Sequence, residues 1–520
     1  MKAYWKALIL LLVCSLVLLL ASAGAAEGGG ILDDTRFRDV ALRQALDKNY
    51  GDGNHHVNML RTDIDISDSG ISDLTGMELF VNLEVLDCSG NNLSGLNLGD
   101  RKASLRVLDC EDNPLLTSLN LNGYDSLQVL YCGGPELSEL VLGSSRESLE
   151  KLYLTDTGII SMDLSGLPRL ELAQCTGGSL SQLDLSDCLQ LLTAVCTDCA
   201  QLTALNVSGC SALEFLAAEQ CGLPSLTLSS LPALTYLNCS GNPMTSLSLM
   251  SCPLLETVDC FSCRLTRLTV SGCTGLLELY CQDNSLTSLP SIPTLGYLNC
   301  SSNRLTSLGS FPALTDLNCA DNRLTSLSVS GSIWDLNCRN NLLTELDVSG
   351  RENLYSVDCA FNRLTSLNVT GSESLSLLAA HGNSLQDLDI AGTAMEELTW
   401  VGDSEVDDVQ VKLNNEFGEL TFDPTVILRR GTEVIFNPYA QPVPLPTFFL
   451  PTELTTIEQD AFSGIAAEAV LIPASVTEIV GDPFEGSAVQ VIYIYPDSPA
   501  ESFAAQWADR YTFIRVDGGD

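Results

Sequence analysis

A frame of leucines recurs along most of this chain and leaves few folds open to it. Its template is Leu83-Glu-Val-Leu86-Asp-Cys88-Ser-Gly-Asn91-Asn-Leu93. The same frame starts again at Leu105, Leu127, Leu149, Leu170, Leu191, Leu213, Leu234, Leu255, Leu276, Leu295, Leu314, Ile333, Leu354 and Leu375, at spacings of 19 to 22 residues. A degenerate copy precedes these, with Ile64, Ile66, Ile71 and Leu74 in the matching places, and another is expected from Met395. The alternation around Leu86 and Cys88 predicts a short strand with one face inward. One such unit buries too little apolar surface to offset the entropy of ordering its backbone. Stacked units share their faces and pair their strand edges, so the array is stable only as a whole.

The consensus L-x-x-L-x-C-x-x-N-x-L-T-x-L resembles the leucine-rich repeat, and the resemblance covers roughly residues 61–402. It implies a leucine-rich repeat solenoid whose curved parallel β-sheet lies on the concave face. Rungs this short leave no room for long helices, so turns and 3-10 segments are expected on the convex face.

Two columns of the frame carry polar or sulfur side chains. Asparagine stands eight residues after the opening leucine at Asn91, Asn113, Asn242, Asn284, Asn303, Asn322, Asn341, Asn362 and Asn383. There a buried amide can bond the backbone of adjacent rungs, a structural role. Twelve cysteines occupy one inward strand position: Cys88, Cys110, Cys132, Cys175, Cys196, Cys239, Cys260, Cys281, Cys300, Cys319, Cys338 and Cys359. Cys199, Cys221 and Cys263 replace the ladder asparagine, and Cys188, Cys210, Cys252 and Cys273 sit in the descending turn. Every one has a repeat address, and buried cysteine packs as a small hydrophobe, so thiols are expected. Cys188/Cys210 and Cys252/Cys273, on neighbouring rungs, are the best candidates for any disulfide. The C-x-x-C pairs Cys196/Cys199 and Cys260/Cys263 lie three rungs apart. That is roughly 14 Å at ~4.8 Å per rung, too far to share a zinc. No metal and no cofactor is expected.

Residues 1–26 read as a signal peptide. Lys2 and Lys6 precede the apolar run Ala7–Leu20, and small residues follow. Residues 27–60 resemble the helical N-terminal cap of secreted bacterial leucine-rich repeat proteins of the internalin-like, cysteine-ladder kind. Phe37, Val40, Ala41, Leu42, Ala45 and Leu46 carry its helical spacing. Asp47–Gly53 is similar to a calcium loop, but Asp52 and Asn58 stand where that loop needs Gly and Glu, and a plain turn is expected. Residues 61–402 form the solenoid. Residues 403–447 are an acidic, Pro-rich connecting segment: Asp403, Glu405, Asp407 and Asp408 break the frame, Val409–Leu413 alternates like a strand, Arg429-Arg430-Gly431 suits a hairpin turn, and Pro442, Pro444 and Pro446 stiffen a linker. In 448–520, Leu450–Phe462 matches Ile472–Phe484 at an offset of 22, which resembles the repeats of bacterial BspA-like surface proteins, with a departure at Pro483. A closing helix over Ser498–Asp509 and a strand at Tyr511–Ile514 are expected.

Charge narrows the partners. Acidic residues outnumber basic ones 66 to 25, a net −41, so neither nucleic acid nor an anionic membrane is an expected partner. After signal cleavage no membrane span is expected. On the outward face of the strands stand Phe215, Tyr236, Phe261, Tyr280 and Tyr297, flanked by Trp334 and Tyr355, with Tyr131 and Tyr153 on earlier rungs. This aromatic patch is the candidate ligand-binding site, because such rings bury large area at small entropic cost. Asp87, Asp109, Asn238, Asp259, Asn299, Asn318, Asn337 and Asp358 fill another outward column, expected to be a solvated face that favours cationic or hydroxyl-rich partners. No catalytic motif is present, so no catalytic residues are assigned. The expectation is an exported, monomeric, non-enzymatic solenoid, secreted or held at the cell surface, that binds a protein or glycan. The alternatives are a structural spacer of the cell envelope, or an enzyme with its site in 403–520.

Overall fold

A computed structural model of the chain describes residues 29–397 apart from 97, together with 411–415, 418–436, 447–450, 454–463, 465, 467–496 and 498–516. The expected signal segment, the acidic break at Asp403–Asp408 and the three linker prolines lie outside the described residues. The chain divides into two compact units, 1–159 and 160–520.

The first unit opens with the expected helix, Val40–Tyr50. Asp39 caps it, one carboxylate oxygen accepting from the amides of Ala41 and Leu42. Its other oxygen accepts from Ser72 and Asp73, which ties the helix start to the first rung. Leu42, Ala45 and Leu46 are buried together with Phe37. Val40 is exposed, contrary to expectation, because two residues' rotation places it on the far side of the helix from Leu42. Five parallel strands follow: Asp63–Asp65, Val85–Asp87, Val107–Asp109, Val129–Gly133 and Lys151–Thr155. Their register puts Ile64, Leu86, Leu108, Leu130 and Leu152 in one buried column.

In the second unit the ladder runs through eleven strands that the frame predicts, from Leu172–Thr176 to Leu377–Ala379. Each is parallel to the next and in register, so Leu216, Leu237, Val258, Leu279, Leu298, Leu317, Leu336, Val357 and Leu378 stack. The last rung does not start at Met395, which is buried in the 3-10 turn Ala394–Glu397. It is built by Gly418–Phe422, paired to Leu377–Ala379, with Leu420, Phe422, Val426 and Leu428 buried. Val411–Asn415 then pairs antiparallel to it, covering an edge that would otherwise present unpaired amides. Ile427–Arg430 and Glu433–Phe436 form the expected hairpin about Gly431.

The side opposite the main ladder differs from expectation. Instead of turns and 3-10 segments alone, it carries a second set of short parallel strands: 118–120 with 139–141 in the first unit, and 161–163, 182–184 and 204–206, then 225–229, 246–250 and 267–271, then 345–347 with 366–368 in the second. Rung length decides where they form. All of these lie in rungs of 21 or 22 residues, while the three 19-residue rungs that open at Leu276, Leu295 and Leu314 show none. Those three also lack the left-handed corner that longer rungs place in the descending turn, at residues such as Ser230, Ser251, Gly350 and Gly371. Two residues fewer remove both the corner and the strand beside it.

A second corner is kept in every rung. The residue before the ladder position is left-handed from Gly90 to Gly382, with φ between 50° and 114°. That corner turns the ladder side chain inward. Asn303 shows what it does there. Its amide nitrogen donates to the carbonyls of Cys281 (2.9 Å), Cys300 and Ser301, and its oxygen accepts from the amide of Leu286 at 2.9 Å. The other eight asparagines make the same type of bonds. Where cysteine replaces them, the thiol donates to carbonyls, as from Cys221 to Cys196 at 3.2 Å and from Cys263 to Cys239 at 3.4 Å. A thiol is a weak donor and a poor acceptor, so it reproduces half of the amide's function.

All nineteen described cysteines are buried thiols, including the two turn pairs that were the best disulfide candidates. Burial raises the thiols of Cys110, Cys239, Cys260, Cys281, Cys300 and Cys338 well above the ordinary range, and Cys319 to about 12. Cys273 is the exception: a hydrogen bond from Cys252 favours its thiolate and lowers it.

The chain ends in a small module within the second unit. Four strands run parallel, Thr447–Phe449, Ala469–Leu471, Val491–Ile494 and Thr512–Arg515, and the helix Ala500–Trp507 connects the last two. Phe462 and Phe484, the matched phenylalanines of the two copies, stack at 5.4 Å. The buried carboxylate of Asp482 accepts from the Tyr511 hydroxyl at 2.8 Å and from Arg510 at 2.6 Å, which fixes the closing strand to the second copy.

Two outcomes follow from the ladder. Asn303→Ala strands the Leu286 amide, at about 1–3 kcal/mol for a buried group left unpaired, while the Cys281, Cys300 and Ser301 carbonyls keep a second donor each. Asn303→Cys keeps one donor, so in urea denaturation it loses less stability than Asn303→Ala. Thiol titration of the native protein at neutral pH finds almost no reactive sulfur, with Cys273 the first site alkylated by iodoacetamide. In denaturant without reductant all nineteen react.

Candidate binding face

Strand alternation sends every second side chain of the main ladder away from the core. In the second unit the seven expected aromatics stand on that face or at its margins, but they do not make one continuous patch. They sort into three ring pairs and one outlier. Phe215 and Tyr236 are register partners whose rings stack at 4.8 Å and 6°. Tyr280 and Tyr297 lie on successive rungs in different columns, and their rings meet tilted at 34°. Trp334 and Tyr355, one residue ahead of their strands, stack at 5.9 Å and remain 52% and 40% exposed. Phe261 joins none of these pairs, because it follows its strand and falls in the turn. In the first unit Tyr131 and Tyr153 stack at 4.3 Å and 9°.

Acidic and amide side chains fill the spaces between the rings. The Tyr236 hydroxyl donates to Asp259 at 2.8 Å, and Asn238 donates to Glu219 at 2.9 Å. Burial lifts the Asp259 carboxyl above its usual range, with Glu278 and Glu219 adding to the effect and the Tyr236 bond opposing it. Burial and the neighbouring Glu278 push the Tyr280 phenol up to about 12. These phenols are therefore neutral donors at physiological pH.

The outward Asp and Asn column is more structural than the sequence suggests. Asp87, Asn238 and Asn299 each accept from the amide two residues on and from a serine hydroxyl there, at 2.6 to 3.2 Å. Asn318, Asn337 and Asp358 accept from the amide alone. The column closes the strand ends as Asx turns, and its members are half-buried. That leaves little of it to attract a cationic ligand.

One residue on the margin went unnoticed in the sequence. Phe361 occupies the left-handed corner at φ 53°. Other rungs give that corner to Gly, Asp or Asn, for which it costs less, or to the small or flexible Ser and Gln. Its ring is 41% exposed, with the Arg339 guanidinium 4.4 Å above it and the His381 ring edge-on at 5.0 Å. The signal was present in the frame, since Phe361 is the one aromatic among the fifteen corner residues.

Among the described residues no group of three or more His, Cys, Asp and Glu is arranged to hold a metal ion, and no helix is long and apolar enough to cross a membrane.

The ladder, its asparagines and its repeat frame define a leucine-rich repeat solenoid. No family model matches the chain, and no curated protein matches it. Among solved structures it is similar to the functional domain of InlJ from Listeria monocytogenes, which includes a cysteine ladder, at 19% identity over 91% of this chain and 83% of that one, TM-score 0.32. It is also similar to YopM from Yersinia enterocolitica, at 22% identity over 92% and 98% of the two chains, TM-score 0.47. A leucine-rich repeat protein of Leptospira interrogans aligns at 21% identity over 64% and 90%, TM-score 0.45.

In the first unit the outward side of the strands holds a carboxyl with a pH consequence. Burial, with Asp87, Glu111 and Asp112 close by, raises Asp109 to about 7. Between the ordinary Asp value and about 7 the folded state binds more protons than the unfolded state. Stability from this group is therefore largest in acid and declines as pH rises through that window. Asp109→Asn keeps the acceptor for the Glu111 amide. It should raise the melting temperature at pH 8 and change it little at pH 4. An equal shift at both values would contradict this assignment.

Proposed function

We propose that this chain is an exported, non-catalytic binding protein and that the outward face of its sheet in the second unit contacts a protein partner. The observation that carries this reading is the exposed Trp334–Tyr355 stack, in line with two further ring pairs on the same ladder. Inward leucines and the asparagine ladder already hold the rungs together. Exposed rings at this density are surplus to that task. Tyrosine and tryptophan are the residue types that dominate the energy of protein interfaces, since each combines a large rigid surface with a polar tip. The neutral phenols and the carboxylates beside them supply hydrogen bonds to a polar rim around such anchors. The apolar run after Lys2 and Lys6 supports export, and the frame's likeness to secreted repeat proteins supports a place outside the cell or on its surface.

The test is a binding screen of the purified chain against arrayed extracellular proteins and arrayed glycans. Protein ligands are expected, and their signal should fall at least about tenfold when Tyr236, Trp334 and Tyr355 are changed to Ala, with the circular dichroism spectrum unchanged. Ligands that bind the triple variant equally well would refute the aromatic face as the contact surface.

A further inference from the structure

We propose that the solenoid has a second docking surface, on the turn edge that follows the main strands between residues 301 and 384, and that it holds an acidic segment of a partner protein. The surface borders the outward sheet face at Phe361 and Asp358, and its test uses none of the ring pairs of that face.

The residue after each ladder asparagine belongs to a backbone ladder of its own. Arg304 donates its amide to Leu286, Arg323 to Leu305, Leu342 to Leu324, Arg363 to Leu343 and Ser384 to Leu364, each at 2.9 Å. Arg304 and Arg323 are thus one rung apart, and Arg323 and Arg363 two. At ~4.8 Å per rung the three guanidinium groups are set along roughly 14 Å of one edge. All three side chains are exposed, and none has a carboxylate within ion-pair distance among the described residues. Arg339 adds a fourth cation on the same edge, lying over Phe361 and 3.6 Å from Asp358.

This concentration is out of keeping with the chain, which has 25 basic residues against 66 acidic ones. Surplus carboxylates are available almost everywhere, yet these arginines are left unpaired. Earlier rungs of the same unit place Asp198 and Glu219 in the turn ahead of the ladder residue, while the positions equivalent to Arg304 are Ala200, Gly222 and Arg264, so the cations concentrate toward the later rungs. Two acids reach these turns between 301 and 384, and both are engaged: Asn340 donates to Asp321 at 2.6 Å, and the Asp423 carboxylate accepts from the amides of Gly382 and Asn383.

Phe361 supplies the second half of the argument. A bulky side chain in the left-handed region is strained, and such strain is retained where surrounding structure enforces it for a purpose. Here it displays an aromatic ring between Arg339 and His381, next to the Arg363 position. Arginine forks bind carboxylates in bidentate fashion, and arginine with an aromatic ring is a hot-spot combination. The charge selects an acidic occupant, and the ring selects one with an apolar side chain among its carboxylates.

The experiment is fluorescence anisotropy of the full chain with a labelled peptide of alternating Glu and Ser that carries one central Leu. Saturable binding is expected, weakening steeply with salt. Arg304→Glu, Arg323→Glu and Arg363→Glu combined should reduce affinity at least about tenfold. Arg267→Glu, on the opposite set of strands, should leave it unchanged. Phe361→Asn should weaken binding while the melting temperature holds or rises, because Asn accepts the left-handed corner. The proposal fails if the peptide does not bind saturably or if the triple variant binds as well as the parent. It also fails if Phe361→Asn lowers the melting temperature without affecting affinity, which would make the ring structural. Preferential binding of heparin over the peptide through the same arginines would overturn the acidic-peptide assignment in favour of a sulfated glycan.

Discussion

A backbone that turns through a corner in every rung must bury amides and carbonyls that no strand partner can reach. The inward asparagine answers this constraint. Its nitrogen serves carbonyls of its own rung and of the one before, as Asn322 does for Cys300 and Cys319, while its oxygen takes the amide of Leu305. A buried peptide group left unpaired costs about as much as several buried methylenes gain. The leucine column alone therefore could not hold the rungs in register. The small inward cysteine at the fifth place beyond the opening residue in twelve of the fifteen rungs fits the same logic, since the carbonyls of Cys281 and Cys300 are among those the asparagines bind. A larger side chain there would compete with the amide for space.

Much of this was legible in the sequence. The period, strand positions, inward columns and capping helix follow from spacing and alternation, because a repeat imposes the same environment on every copy. What escaped depends on small length differences or on context outside the repeat. The described strands of the second set all lie in rungs of 21 or 22 residues and none lies in a rung of 19, though the leucine frame is the same in both. The final rung at Gly418–Phe422 was missed because it is separated from Leu377–Ala379 by an intervening stretch, and it has no asparagine or cysteine to announce it. Met395 carried the frame's spacing but belongs to a 3-10 turn.

The candidate faces were only partly legible. Alternation placed Phe215, Tyr236 and Tyr297 outward, yet it says nothing about which neighbouring rings touch. Columns that look equivalent in sequence separate in space, so Phe261 falls away from the ring pairs. The Asp and Asn column has the composition of a solvated surface, but Asp87 and Asn299 are committed to their own strand ends. Phe361 and the arginine edge become visible only when each turn residue is compared with its counterparts in other rungs. Function in a repeat protein is written in such departures, since the shared residues are occupied with stacking.

Amide hydrogen exchange resolved by residue addresses the buried-amide ladder most directly. Leu286, Leu305, Leu324, Leu343 and Leu364 lie outside the main strands, but each donates to a ladder asparagine. If those bonds hold the rungs together, these five amides exchange as slowly as the strand amides of Leu298 and Leu317. Exchange at the rate of exposed turn residues such as Ser310 would show that the rungs are held by apolar stacking alone.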